Sequence, residues 1–168
     1  MKSLILGGVK SGKSRYAEQL ATDSGRPVTV IATATGDDAG MQARIARHQA
    51  ERNSQWQLVE EPLRLGQAIA SIDERHCVLV DCLTLWLTNL LMLDNESSLN
   101  SELQALKTAV QDCGSRLVMV SNETSMGIVP LGELSRRFCD EAGLLHQSMA
   151  QHCDEVVLMV AGLCHRLK

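Results

Sequence analysis

Gly7, Gly8, Val9, Lys10, Ser11, Gly12, Lys13 and Ser14 have the types and spacing of a loop that cradles phosphate. They satisfy the pattern G-x-x-x-x-G-K-[ST], in which glycines let backbone N–H groups close around phosphate oxygens with no side chain in the way. Lys13 would reach the β- and γ-phosphates as a point charge, and the Ser14 hydroxyl would hold Mg²⁺ where the next helix begins. A second run, Val78-Leu79-Val80-Asp81, is a four-residue strand segment ending in an acid. In P-loop proteins such an acid sits beside the phosphate loop and helps hold the Mg²⁺ shell. By itself Asp81 is either that ligand or the cap of the following helix; with the glycine loop in the same chain, the metal role is favoured.

A third constellation is Arg44, His48 and Arg52, which recur every four residues and so share one helix face. Solvated faces usually intersperse acids, so a cationic stripe suits an anion such as a nucleotide phosphate. Glu51 falls outside the stripe, within reach of Arg47. The flanking arginines favour neutral imidazole, which is also the nucleophilic form. Spacing alone leaves open a plain surface helix carrying one histidine.

These groups need elements to place them, and the chain alternates strands and helices in the manner of a parallel sheet covered on both faces. A strand over Ser3 to Leu6 leads into the phosphate loop, a helix over Lys13 to Thr22 follows, and Ser24 to Pro27 break the chain before a strand over Val28 to Ala32. After a turn at Thr35 to Asp38, the helix of the cationic stripe covers Met41 to Arg52, and a short strand runs from Trp56 to Val59. Pro62 fits the first turn of a helix reaching Ile72. A buried strand over Cys77 to Asp81 precedes a helix over Leu83 to Leu93, a polar loop at Asp94 to Ser98 and a helix over Ser101 to Cys113. The strand Leu117 to Ser121 ends in Asn122-Glu123; a long helix over Leu131 to Gln151, a strand over Glu155 to Val160 and a short tail complete the reading.

At 168 residues with 45% hydrophobic content, the chain is expected to form one domain, 1–168, with a core that needs no staples. The net charge of −4 and 2% aromatic content argue against a nucleic-acid binder, which usually shows a basic face and stacking rings. No apolar run has the length of a membrane span and no signal peptide is evident, so a cytoplasmic protein is expected. The six cysteines form no C-x-x-C pair, and the five histidines have no ligand spacing with cysteine or carboxylate partners.

The segments GGVKSGKS at Gly7, IATAT at Ile31, RIARHQAER at Arg44, EEP at Glu60, VDCLTLWLTNLL at Val80, SNETSMGIVP at Ser121 and AGLCHRLK at Ala161 occur in order over nearly the whole chain. In these the chain resembles the bifunctional adenosylcobinamide kinase / adenosylcobinamide-phosphate guanylyltransferase family of late cobalamin synthesis. With the phosphate loop, the resemblance implies a P-loop NTPase fold of the RecA-like kind: α/β, with a mostly parallel central sheet and helices on both faces. It implies two reactions. ATP or GTP phosphorylates the aminopropanol hydroxyl of adenosylcobinamide, and GMP from GTP then passes through a guanylylated histidine, here His48, to give adenosylcobinamide-GDP. It also implies nucleotide contacts at Ala32, Thr33 and Ala34, at Gln49, Ala50, Glu51 and Arg52, and at Glu60, although Glu60 also reads as an exposed acid before a helix. Mg²⁺, a corrinoid substrate and a homo-oligomer, a trimer being the expected form, complete the implied set.

The chain departs from the family pattern at several places. Asp38-Ala39-Gly40-Met41 lacks the acid common before Met41, Lys10 replaces the usual arginine, Thr124-Ser125 replaces Val-Gly, and His146 stands where asparagine is frequent. None is a residue assigned to chemistry. Two other readings stay open on the sequence: a P-loop small-molecule kinase with no covalent intermediate, and a non-catalytic GTP-binding switch.

Overall fold

The computed structural model describes residues 1–35 and 55–168. The expected helix over Met41 to Arg52, and with it Arg44, His48, Gln49, Ala50, Glu51 and Arg52, lies outside the described residues. The elements are, in chain order, β1 (Lys2–Gly7), α1 (Lys13–Asp23), β2 (Val28–Ala32), β3 (Gln57–Glu60), α2 (Leu65–Ser71), β4 (Cys77–Asp81), α3 (Leu83–Met92), α4 (Glu96–Asp112), β5 (Arg116–Asn122), α5 (Glu133–His152), β6 (Glu155–Val160) and β7 (Leu163–Arg166).

Seven strands form one sheet in the order β3-β2-β4-β5-β1-β6-β7. The first six are mutually parallel, and β7 alone runs antiparallel, against β6. The central strands are apolar almost throughout because both faces are covered. Side chains alternate between the two sides: Leu4 and Leu6 of β1 join a core with Leu83, Trp86 and Leu90 of α3, Leu106 of α4 and Met149 of α5. Ile5, between them, faces Ala17 and Ala21 of α1 together with Val30, Val118 and Val157. Because the strands are parallel, the loops leaving β1, β2, β4 and β5 all emerge at one edge, where open α/β sheets bind ligands.

Most boundaries shift by a residue or two from the sequence reading, and three differences go further. Pro62 precedes the helix instead of starting it: α2 begins at Leu65, and the Glu61 carboxylate accepts the N–H groups of Leu63 and Arg64 at 3.0 and 2.9 Å. The turn is also tied down by the Trp86 indole, which donates to the Leu63 carbonyl at 2.7 Å. The expected polar loop at Asp94 to Ser98 is largely helix, since Asn95 caps α4 by accepting the Ser98 N–H at 3.0 Å. The closing tail contains β7, joined to β6 by Ala161 and Gly162, whose φ values of 51° and 81° make a two-residue hairpin turn with both residues left-handed.

Helices α2 and α4 touch at a glycine. A Cβ on Gly66 would lie 2.6 Å from the Ala105 carbonyl carbon and 2.7 Å from its oxygen, so the two backbones would have to separate. Gly66→Ala is therefore expected to cost about 1–3 kcal/mol, and Tm to fall by roughly 2–4 °C for each kcal/mol. Gly143→Ala, in α5 with open space around the added carbon, is the control and should leave Tm level or slightly raised. Equal unfolding midpoints in the two variants would contradict the close contact.

Candidate nucleotide site

The phosphate loop is bent by its own backbone. Gly7 ends β1 with φ 151°, and a Cβ there would sit 2.5 Å from the Met159 carbonyl oxygen and 2.7 Å from Ser11 Oγ. Lys10 takes a left-handed φ of 55°, and Gly12, at φ 100°, is the N-cap of α1. The loop therefore turns back on itself and presents the amino end of an 11-residue helix, whose first N–H groups have no partner within the helix. Lys13 is 7% exposed and its ammonium donates to the Gly8 carbonyl, spanning the loop it belongs to. From the turn between β6 and β7, beside β1, the Gly162 N–H donates to the Ser11 carbonyl at 2.9 Å. Ser11 Oγ is buried with no hydrogen-bond partner.

Asp81 ends β4, half-buried, with β5 between it and β1. Its carbonyl accepts the Thr33 N–H at 3.1 Å, joining the loop after β2 to the end of β4. Thr33 is fully buried; its hydroxyl donates to the Cys82 carbonyl at 2.7 Å and accepts the Cys82 N–H at 3.0 Å. The Thr33 carbonyl accepts from the Asn89 amide at 2.8 Å, and the same amide reaches the Pro62 carbonyl at 3.0 Å. Thr33 is thus engaged within the fold at its N–H, hydroxyl and carbonyl, and holds the Ala32–Ala34 segment in place. Glu60 ends strand β3 in register with Ala32 and is exposed, while the Glu61 N–H donates to the Ala32 carbonyl at 3.0 Å. Gly7 to Ser14, Ala32, Asp81 and Glu60 therefore share one sheet edge.

Between the phosphate loop and Asp81 lies a network that the sequence reading did not connect. Asn122 is in register with Gly7, its N–H donates to Thr84 Oγ1 at 2.6 Å, and the Glu123 N–H donates to the Gly7 carbonyl at 3.0 Å. Thr84 Oγ1 lies 3.3 Å from Ser121 Oγ, which lies 2.7 Å from Nε2 of His146. The other ring nitrogen, Nδ1, is 3.7 Å from a Glu123 carboxylate oxygen and has no hydrogen-bond partner. Burial pushes the His146 pKa down, against an opposing pull from Glu123. Asn122, Glu123 and Met126 to Pro130 were legible in the sequence as a substrate-holding loop at the carboxyl end of a parallel strand, with the corrinoid as the expected substrate, but His146 is on α5 and only the fold brings it there. The Met126 to Pro130 loop beyond is strongly exposed, with Ile128 98% and the following Leu131 97% accessible, so these apolar side chains pack on nothing described.

Among the described residues no group of three or more His, Cys, Asp or Glu could hold a metal ion. The donors offered by Ser14 and Asp81 are hard oxygens, and a phosphate-bound Mg²⁺ takes only one or two protein ligands, so this set fits such an ion. Among the described residues no helix is long and apolar enough to cross a membrane.

The model of the cobinamide kinase / cobinamide phosphate guanyltransferase family matches residues 3–167. The chain is similar to the bifunctional adenosylcobalamin biosynthesis protein CobP of Pseudomonas aeruginosa, with 53% identity over all of this chain and 98% of that protein. It is also similar to the bifunctional adenosylcobalamin biosynthesis protein CobU of Escherichia coli, 39% identical over the whole of both. Among solved structures, the RadB recombinase superposes with a TM-score of 0.54 over 93% of this chain and 72% of its own, at 16% identity. A Pyrococcus horikoshii OT3 protein gives 0.54 over 99% and 85% at 7% identity. These two share the fold of this chain, an α/β fold with a mostly parallel central sheet.

Proposed function

Because the chain belongs to the cobinamide kinase / cobinamide phosphate guanyltransferase family, and so is a bifunctional enzyme of adenosylcobalamin biosynthesis, we propose that both of its reactions draw on one nucleotide held by the Gly7–Ser14 loop. The observation that carries this is the convergence of the loop, buried Lys13, Asp81 and Glu123 at one sheet edge, with a single cationic stripe in the sequence, Arg44-His48-Arg52, left to serve the second reaction.

In the first reaction the aminopropanol hydroxyl of adenosylcobinamide attacks the γ-phosphorus of ATP or GTP. Backbone N–H groups of the loop and α1 hold the phosphates, and Lys13 leaves the Gly8 carbonyl to meet the charge that builds on the β–γ bridge. Ser11 Oγ, buried and unpartnered, supports a loop that completes its hydrogen bonds only around phosphate. Ser14 and Asp81 would hold Mg²⁺, whose contribution when bound is to neutralise phosphate charge.

In the second reaction a nitrogen of His48 attacks the α-phosphorus of GTP. The N–P bond forms as the bond from the α-phosphorus to its bridging oxygen breaks, and pyrophosphate leaves. A phosphate oxygen of adenosylcobinamide phosphate then attacks the same phosphorus, releasing His48 and giving adenosylcobinamide-GDP. Arg44 and Arg52 steady the charge on the transferring group, and Gln49, Ala50, Glu51, Arg52, Ala32, Ala34 and Glu60 complete the nucleotide site. The exposed apolar loop Met126 to Pro130 offers a surface to the corrinoid, and the working form is a homo-oligomer.

Incubation with GTP labelled at the α-phosphate tests the reading. The expected result is about one label per chain, lost in acid, stable in alkali and mapped to the peptide carrying His48. Phosphorylated adenosylcobinamide with no protein label would establish instead the kinase without a covalent intermediate.

A further inference from the structure

We infer that Glu123 is the general base of the phosphoryl-transfer step, taking the proton of the acceptor hydroxyl as that hydroxyl attacks the γ-phosphorus. The inference rests on the kinase half of the proposed function.

In the sheet order β4-β5-β1, strand β5 lies between the strand that ends in the phosphate loop and the strand that ends in Asp81. Its last residue pairs with Gly7, and the Glu123 N–H holds the Gly7 carbonyl at 3.0 Å. A carboxylate following β5 therefore lies between the strand ends assigned to phosphate and to metal, where it would face the terminal phosphate of a nucleotide held by the loop.

The Glu123 carboxylate is held by the fold. Its side chain is 14% exposed, unlike a solvated loop acid. One oxygen accepts the Ser125 N–H at 2.6 Å; the other faces His146 Nδ1 at 3.7 Å. In the tautomer that donates from Nε2 to Ser121, Nδ1 carries a lone pair that is buried and unpartnered. Such an acceptor, aimed at a carboxylate, has no use while Glu123 is ionised. Once Glu123 is protonated, a small shift lets its O–H donate to Nδ1, which stabilises the product of the proton transfer.

There is also room for the acceptor. A cavity of about 420 Å³ opens alongside, lined by Thr84, Thr88, Thr124, Pro130 and Phe138. Thr84 belongs to the His146 network and Thr124 follows Glu123, so an aminopropanol arm lying in this largely apolar cleft would bring its hydroxyl to the carboxylate. The step balances: the O–H proton goes to Glu123, the new O–P bond forms, the γ-phosphorus to bridging-oxygen bond breaks, and its electron pair leaves on the nucleoside diphosphate. The proton departs to solvent afterwards.

The test is steady-state kinase assay of Glu123→Gln and Glu123→Asp with adenosylcobinamide and ATP. E123Q should lose on the order of 10²-fold or more in kcat, with nucleotide KM within about threefold of wild type. E123D, which keeps a carboxylate one methylene short, should retain more kcat than E123Q. A structural role predicts the reverse order, because glutamine is the closer isostere. GMP transfer to separately supplied adenosylcobinamide phosphate, whose attacking oxygen has no proton to give up, should fall far less than the kinase rate. A kinase kcat in E123Q within about threefold of wild type, or E123Q equal to or better than E123D, overturns the inference. Failure of wild type to label with α-labelled GTP would sink the covalent reading alone, while absence of phosphoryl transfer in wild type would sink both.

Discussion

His48→Ala is expected to abolish transfer of GMP to adenosylcobinamide phosphate, with a fall on the order of 10⁴-fold or more, and to leave the cobinamide kinase rate within a few-fold. The asymmetry follows from the chemistry assigned to each phosphorus. Loss of a covalent nucleophile removes a whole route, and the residual rate is what binding and charge stabilisation alone supply. Attack of a substrate hydroxyl at the γ-phosphorus calls on no protein nucleophile, so the kinase step has no use for the imidazole. The measurement is paired: product formation from GTP and preformed adenosylcobinamide phosphate, and phosphorylation of adenosylcobinamide by γ-labelled ATP. A variant that keeps GMP transfer within tenfold would remove His48 from the mechanism. A variant that loses both rates equally would point to a role in holding the nucleotide.

Lys13→Ala should do what His48→Ala does not, and depress both reactions, each by on the order of 10²- to 10³-fold. Lys13 is 7% exposed and its ammonium is already oriented by the Gly8 carbonyl, so little reorganisation separates it from a phosphate oxygen. Its contribution is a charge placed before the reaction starts, which is worth most in a site that excludes water. Lys13→Arg is expected to rescue poorly, because a planar fork does not fit a position occupied by a compact ammonium against a backbone carbonyl. If Lys13→Ala impaired only one reaction, a single shared phosphate loop would be untenable. The two substitutions together therefore separate the shared part of the site from the part used once.

Much of the sheet was legible because its strands are buried on both faces and read as continuous apolar runs. Val28–Ala32, Cys77–Asp81 and Glu155–Val160 were expected with the boundaries they have. Strand β7 was not, because Leu163–Arg166 is exposed along its whole length and shows no alternation; its signal was the Ala161-Gly162 turn. The start of α4 was placed five residues late because Asn95, Ser97 and Ser98 read as loop, although Asn95 three residues before Ser98 is also a cap. The phosphate loop was readable because its chemistry is local in sequence. The Thr84-Ser121-His146-Glu123 network was not, because it joins α3, β5 and α5, and His146 registered only as a departure from the family pattern.

The contact between Gly162 and the phosphate loop bears on how the chain acquires its activity in time. The loop is encoded near the start of the sequence, yet its Ser11 carbonyl is held by a turn near the other end, and Gly12 approaches the same turn so closely that an added Cβ would lie 3.2 Å from Gly162 Cα. Strand β1 likewise finds its neighbours β5 and β6 only in the second half of the chain. Such long-range closures are slow, because the loop entropy is lost before the contacts form. During synthesis the Gly7–Ser14 segment would leave the ribosome well before the Ala161-Gly162 turn, so the loop takes its full shape only when that later hairpin folds onto it.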